Sequence, residues 1–387
     1  MLTPGRRLGA LGFLLLGLGA CTSGGPERPT PTSAPATSSA APATADPVAE
    51  ALAGMDRRAQ VAQLFVAGVP LDDLAAASEL AGSGVGGIFL AGRSETAAAD
   101  LATTVQGWQA AAPGPGLWVA VDQEGGSVQS LRGPGFDTLP SALDQGALPP
   151  DQLAGLADRL GASLDDAGVN LDLAPVVDVV PAGTESANPP IGAFDRQYGS
   201  TAAVVEAAAG TVVDGLAAHG VTATLKHFPG LGRVQGNTDT SAVVVDNTTT
   251  ADDEQVAAFG NLARSPASPF VMASSATYTL LDPTTPAAFS SAVLTGLLRE
   301  RLGFDGVVVS DDVGNARAVG DLPPGDRAVR FLAAGGTMVL TVDATLVPEM
   351  IDAVLARAEA DPGFSAQVDA AVRTALEAKQ RAGLLPT

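Results

Sequence analysis

Four short polar clusters in this chain each close an apolar run. Val121 is followed by Asp122-Gln123-Glu124-Gly125-Gly126, and Leu173 by Ala174-Pro175-Val176-Val177-Asp178. Leu225 is followed by Lys226-His227-Phe228-Pro229-Gly230, and Val309 by Ser310-Asp311-Asp312. Carboxylates on separate strand ends can act as nucleophile and proton donor once a fold gathers them. Lysine and arginine beside them suit the gripping of sugar hydroxyls through charge-assisted hydrogen bonds. Other chemistries are poorly supplied. The single cysteine is Cys21, and the two histidines, His219 and His227, lack metal-ligand spacing, so neither a zinc site nor a cofactor is expected. No GxGxxG follows the first strand candidate and no Walker sequence occurs, which leaves nucleotide phosphate sites unsupported. Without a Ser-His-Asp set, paired carboxylates point to glycoside chemistry. Its oxocarbenium-like transition state needs one carboxylate under the anomeric carbon and one donor beside the leaving oxygen.

Every one of these residues also has a structural use. Asp311 or Asp312 can cap the following segment, and Asp122 can cap the glycine turn behind it. Asp172 and Asp178 flank a proline and read as structural hydrogen-bonders rather than catalysts. Asp239 lies in a Gly/Asn/Thr loop where turn chemistry alone accounts for it. His227 can be a satisfied core histidine, whereas Lys226 after an apolar strand is costly to bury unless paired. Trp108 and Trp118 fall in helix and strand patterns and are expected in the core.

The elements that must position these groups alternate. Gly303-Phe304-Asp305-Gly306 feeds three consecutive valines, Val307 to Val309, the pattern of a strand buried on both faces. Strand candidates are Leu64–Ala67, Gly87–Leu90, Leu117–Val121, Val169–Leu173, Val221–Leu225, Phe270–Ala273, Val307–Ser310 and Met338–Thr341. Helix-period stretches lie between them, among them Thr96–Ala112, Pro150–Ala167, Thr201–Ala218 and Ala251–Ala263. Such alternation implies parallel strands with crossover helices, and about eight repeats close an α/β barrel of the (β/α)8 TIM type. A doubly wound open sheet is the alternative. Arg357–Leu385 reads as a terminal helix, and no second domain is visible.

Upstream, the chain carries an address. Arg6 and Arg7 precede an apolar stretch, Leu8 to Leu18, too short to span a membrane, so residues 1–20 read as a signal peptide. Leu18-Gly19-Ala20-Cys21 resembles the lipobox of bacterial lipoproteins, which implies lipidation at Cys21 and anchoring to the outer face of the cell membrane. Residues 21–47 are rich in Pro, Thr, Ser and Ala and are expected to be a disordered linker. The barrel is expected over 48–387. A net charge of −21 argues against nucleic acid and against an electrostatic hold on anionic lipid, so membrane attachment falls to the lipid alone. A monomer is expected.

Taken in order, the four clusters resemble glycoside hydrolase family 3. The match rests on Asp122-Gln123-Glu124-Gly125-Gly126, Gly168 to Val179, Lys226 to Gly230 and Gly306 to Asp312, and is strongest for single-barrel β-N-acetylglucosaminidases of the lipoprotein branch. The resemblance implies a retaining two-step mechanism with terminal N-acetylglucosamine as the sugar removed. It makes Asp311 the nucleophile and assigns Asp122, Arg196, Lys226 and His227 to the sugar hydroxyls. In the family the loop after Lys-His-Phe-Pro-Gly continues to Asp-Ser-His, whose Asp and His act together as acid/base. Here Asp239 matches the Asp, but Ser241 stands where the His would be. A Gly-Gly-Arg becomes Gly126-Ser127, a His after the sixth strand is replaced near Ser274 and Ser275, and an eighth-strand Asp is Thr337. Two functions follow: an exo-β-N-acetylglucosaminidase acting on peptidoglycan-derived or related glycans, or a catalytically weakened sugar-binding barrel lipoprotein. Another β-glycosidase or phosphorylase of the same family remains the further alternative.

Overall fold

The computed structural model describes residues 24–25 and 46–385; the predicted signal segment, Cys21 and most of the predicted linker lie outside the described residues. Residues 45–387 form one compact unit. Its centre is a ring of eight parallel strands: β1 (Phe65–Pro70), β2 (Gly87–Ala91), β3 (Trp118–Val121), β4 (Leu171–Asp172), β5 (Thr222–Phe228), β6 (Phe270–Ala273), β7 (Val308–Ser310) and β8 (Val339–Thr341). Each pairs with its sequence neighbours, and β8 also pairs with β1 in the register Phe65↔Val339, Val66↔Leu340 and Ala67↔Thr341. The ring is completed by a bridge from Val309 to Met338, with Ser310 N–H donating to Met338 O at 2.9 Å. The eight apolar runs are therefore barrel strands, and the doubly wound alternative is set aside.

Nearly every strand residue is buried, because side chains pointing inward fill the barrel and those pointing outward meet helices. Those helices have local causes. Thr201 caps Ala202–Ala217 through its side chain, and Ser141 caps Ala142–Gly146. Pro150 opens Pro150–Asp166 at its first turn, where a missing N–H costs nothing. Trp108 and Trp118 are buried as expected, and the Trp118 ring meets Phe270 edge to face at 5.1 Å.

Three expectations are corrected. The predicted terminal helix Arg357–Leu385 is two helices, Val347–Ala360 and Pro362–Arg381. Asp361 ends the first and caps the second, accepting from the N–H groups of Gly363 and Phe364, and Pro362 cannot continue a helix through its own nitrogen. Lys226 and His227 lie inside β5 rather than beyond it. The ladder is irregular between Leu225 and Phe228, and both consecutive side chains reach the same cavity. Thr337 sits ahead of β8, at the end of the strand remote from the clusters, where its hydroxyl accepts from Arg299 Nη2 (2.9 Å) and Val308 N–H (3.2 Å).

Candidate active site

At the carboxyl ends of the strands lies a cavity of about 260 Å³, lined among others by Asp122, Arg196, Lys226, His227, Asp239 and Asp311. All six residues singled out from the sequence for catalysis or sugar contact therefore converge. Leu173, Met272, Leu340 and Val342 contribute apolar wall.

The floor is an ion network. Lys226 leaves β5 buried and donates to Asp122 Oδ1 at 2.6 Å, with Glu124 Oε1 also 2.6 Å from its Nζ. Glu124 is in turn gripped by Arg196 through two parallel bonds, Nε to Oε2 (2.8 Å) and Nη2 to Oε1 (2.7 Å). Burial by itself would raise the Glu124 carboxyl, but Arg196 and Lys226 overcome it and hold the group at about 2. Lys226 shows the mirror effect: burial would lower it, and Asp122 and Glu124 keep it raised and charged. Arg196 is fixed on its other side by Pro190 O at 2.7 Å, so the fork has one orientation. Glu124 escaped the sequence reading, although Gln123 and Glu124 are superfluous if Asp122 only caps a turn. Its role becomes visible only through Arg196, which lies 72 residues further on. The turn after Glu124 needs glycine, since Gly125 has φ 104° and a Cβ there would lie 2.3 Å from Pro140 O.

His227 is held by a carboxylate that the sequence assigned to structure. Asp178, fully buried, accepts from His227 Nδ1 at 2.7 Å and from His227 N–H at 3.1 Å. This bond places the Nδ1 proton toward Asp178 and leaves Nε2 for the cavity. The same Asp178 Oδ1 also accepts from Leu231 N–H at 2.7 Å, fixing the start of the loop that carries Asp239. Close packing reinforces that anchor, because a Cβ at Gly232 would lie 2.0 Å from Val179 O. The other histidine, His219, pairs with Asp158 at 2.9 Å on the helical exterior.

The two remaining carboxylates differ from this network. Asp311 follows β7 directly; its N–H donates to Ala273 O (3.2 Å) and its Oδ1 accepts from Asp312 N–H (2.9 Å). Asp312 also lines the cavity but is tied to the backbone, accepting from Gly314 N–H (2.9 Å), Val342 N–H (3.0 Å) and Asn315 N–H (3.3 Å). The pair thus differs in how it is held: three backbone amides engage Asp312 and one engages Asp311. Asp239 sits at the exposed rim, its N–H donating to Asn237 Oδ1 at 2.9 Å. Partial burial of its carboxyl and then the negative charge of Asp311 raise it above the ordinary aspartate range. The loop bearing it is docked, with Ala318 N–H donating to Thr238 O at 3.0 Å and Asn188 Nδ2 donating to Leu231 O and Val234 O, both at 2.8 Å.

Among the family-specific departures, Ser275 is buried with its hydroxyl unpartnered, while Ser274 accepts from the buried Tyr278 hydroxyl at 3.1 Å. Ser127 lies exposed, its carbonyl receiving Arg93 Nη2 at 2.6 Å. Among the described residues, no group of three His, Cys, Asp or Glu side chains could hold a metal ion, and no helix is long and apolar enough to cross a membrane.

Comparison with known proteins gives a consistent picture. The family model described as "Glycosyl hydrolase family 3 N terminal domain" matches residues 57–378. Beta-hexosaminidase LpqI of Mycobacterium tuberculosis is 34% identical over 351 residues, covering 86% of this chain and 86% of that protein. Among solved structures, a beta-N-acetylhexosaminidase from Beutenbergia cavernae has a TM-score of 0.81 at 46% identity, covering 84% of this chain and 99% of that one. A beta-N-acetylglucosaminidase from a Paenibacillus species has a TM-score of 0.76 at 29% identity, covering 85% of this chain and 63% of that one.

Proposed function

The chain belongs to glycosyl hydrolase family 3, and from that premise we propose that it is a retaining exo-β-N-acetylglucosaminidase. The observation that carries this reading is one cavity containing Asp311, free of the backbone bonds that hold Asp312, with Asp239 at its rim and the Asp122–Lys226–Glu124–Arg196 network as its floor. At about 260 Å³ the cavity is smaller than pockets for drug-sized ligands and suits a single substituted sugar ring, which favours removal of terminal residues.

In the first step Asp311 attacks the anomeric carbon while Asp239 gives its proton to the departing glycosidic oxygen. The C–O bond breaks, a glycosyl ester forms on Asp311, and the aglycone leaves neutral. In the second step Asp239, now ionised, takes a proton from water, the water oxygen attacks the same carbon, and Asp311 is released. Asp122 and Lys226 hold sugar hydroxyls as acceptor and donor, Arg196 supports the network from its far side, and His227 offers Nε2. Similarity to beta-hexosaminidase LpqI and to the Beutenbergia enzyme supports N-acetylglucosamine as the sugar. Peptidoglycan-derived fragments are the natural substrate class we infer.

The test is turnover of aryl β-N-acetylglucosaminide against aryl β-glucoside, followed by trapping with a slow fluorinated sugar. Label on Asp311 and preference for the N-acetyl substrate are expected; label on Asp312, or full activity in Asp311→Asn, refutes the assignment. Ser241 in the histidine position of the acid/base loop favours a second reading, a sugar-binding barrel without useful turnover. Binding of N-acetylglucosamine without hydrolysis of either aryl substrate would select it. We also propose export, lipid anchoring at Cys21 and a monomeric state. Incorporation of labelled palmitate that is lost in Cys21→Ser tests the anchor, and sedimentation tests the monomer.

A further inference from the structure

Beneath the floor network lies a carboxyl that the mechanism does not use. Asp172, the last residue of β4, is fully buried. Its Oδ1 accepts from Gln123 N–H at 3.0 Å, and its Oδ2 has no hydrogen-bond partner. Gln123 is the residue between Asp122 and Glu124, so the bond from Asp172 fixes the peptide that sets two carboxylates on Lys226. The charged groups acting on Asp172 are Lys226, Asp122 and Glu124. Asp122 and Glu124 already pair with Lys226 and Arg196, and a third carboxylate carrying charge would have no cation of its own in the buried cluster. Such a charge is costly at a fully buried position, and a carboxyl with one oxygen unpartnered by protein groups avoids the cost by keeping its proton.

We propose that Asp172 is a positioning residue that works as a neutral acid, holding the Asp122–Gln123–Glu124 turn against Lys226, and that loss of its proton loosens the grip on the sugar. This rests on the sugar-binding reading of the cavity. Burial, opposed by the Gln123 N–H and the charge of Lys226, pushes the carboxyl up to about 8. The effect of ionisation follows from donor counting. Lys226 has three N–H donors, of which Asp122 and Glu124 engage two, and the third is available for a substrate hydroxyl. An ionised Asp172 draws on the positive charge of Lys226 that would otherwise serve the substrate hydroxyl, and repels Asp122 and Glu124.

Asn at this position keeps the oxygen that accepts from Gln123 but cannot ionise. The experiment measures the affinity of N-acetylglucosamine from pH 6 to 9 in the full chain and in Asp172→Asn. Wild type should bind about tenfold more weakly at pH 9 than at pH 7, as expected where only the protonated form binds well, and Asp172→Asn should lose most of that dependence. Equal pH dependence in both proteins overturns the proposal. Isotope-edited infrared titration gives a readout that needs no sugar. A protonated aspartic acid carbonyl stretch should be present at pH 6, disappear near pH 8 and be missing from Asp172→Asn; its absence from wild type at pH 6 also overturns the proposal. Should Asp172→Asn fail to fold, Asp172→Leu serves for the infrared assignment. Failure of N-acetylglucosamine to bind at any pH would count against the sugar reading and leave the infrared result to decide on Asp172.

Discussion

At Asp311 one carboxylate oxygen receives the next backbone amide and the group otherwise faces the cavity, whereas Asp312 spends both oxygens on three amides. Substitution should separate these environments. Asp311→Asn is expected to lower turnover by about a thousandfold or more with little change in unfolding. Asp312→Ala leaves amides of Gly314 and Val342 without partners and should cost about 2–3 kcal/mol of stability, measured by denaturant unfolding. The raised Asp239 carboxyl keeps its proton to higher pH than an ordinary aspartate, so acid assistance should fade as pH rises through that elevated value. Asp239→Asn should therefore slow a natural sugar aglycone by about a hundred- to ten-thousandfold while nearly sparing a nitrophenyl substrate. Single-turnover rates on the two substrates make the comparison, and equal losses would assign Asp239 another role.

Among the elements, the loop bearing Asp239 is tied to its surroundings at named atoms. The buried amide of Asn188 donates twice to it, at Leu231 O and Val234 O, and accepts from Gly192 N–H at 2.8 Å, in the segment leading to Arg196. Asn188→Ala should thus cost about 1–3 kcal/mol and slow natural substrates more than activated ones, as checked by unfolding and paired kinetics. All eight strands were legible in the sequence because strands buried on both faces are continuous apolar runs that need no partner to be recognised. Asp311, Asp122 and Lys226 were legible because each ends or interrupts such a run. Glu124 and the service of Asp178 to His227 were not, since their partners lie 72 and 49 residues away and no local pattern reports them. The break at Asp361-Pro362 was missed for another reason: a helical period continues through it, and the proline carried the contrary signal.

Across the whole molecule, the last helix packs on the outer helices and sends one side chain toward the amino end of β1, remote from the cavity. Lys379 is fully buried there, its Nζ donating to Gln63 Oε1 at 2.7 Å just ahead of β1. Burial lowers its amine from 10.5 to about 7. The unfolded chain then binds more protons than the folded one between these values, so this group makes stability rise with pH across that window. Asp172 acts oppositely, since its carboxyl is raised from 3.8 to about 8, and its contribution is lost as pH rises toward that value. Between about pH 8 and 9.5 the lysine should therefore dominate, adding about 1.4 kcal/mol per pH unit at most. The stability of wild type relative to Lys379→Met should rise with pH over this interval, as measured by unfolding of both proteins; parallel curves would contradict the assignment. The closure of the ring has a consequence for the order in which the chain can be finished. Because β8 lies between β1 and β7, a chain emerging from its amino end carries seven strands flanking a gap, and residues 339–341 fill it late. Even then the cap at Gln63 waits for Lys379, so the first strand laid down is among the last to be sealed. Elongation thus proceeds with an unclosed ring, and the completed barrel can appear only after nearly the entire polypeptide has been made.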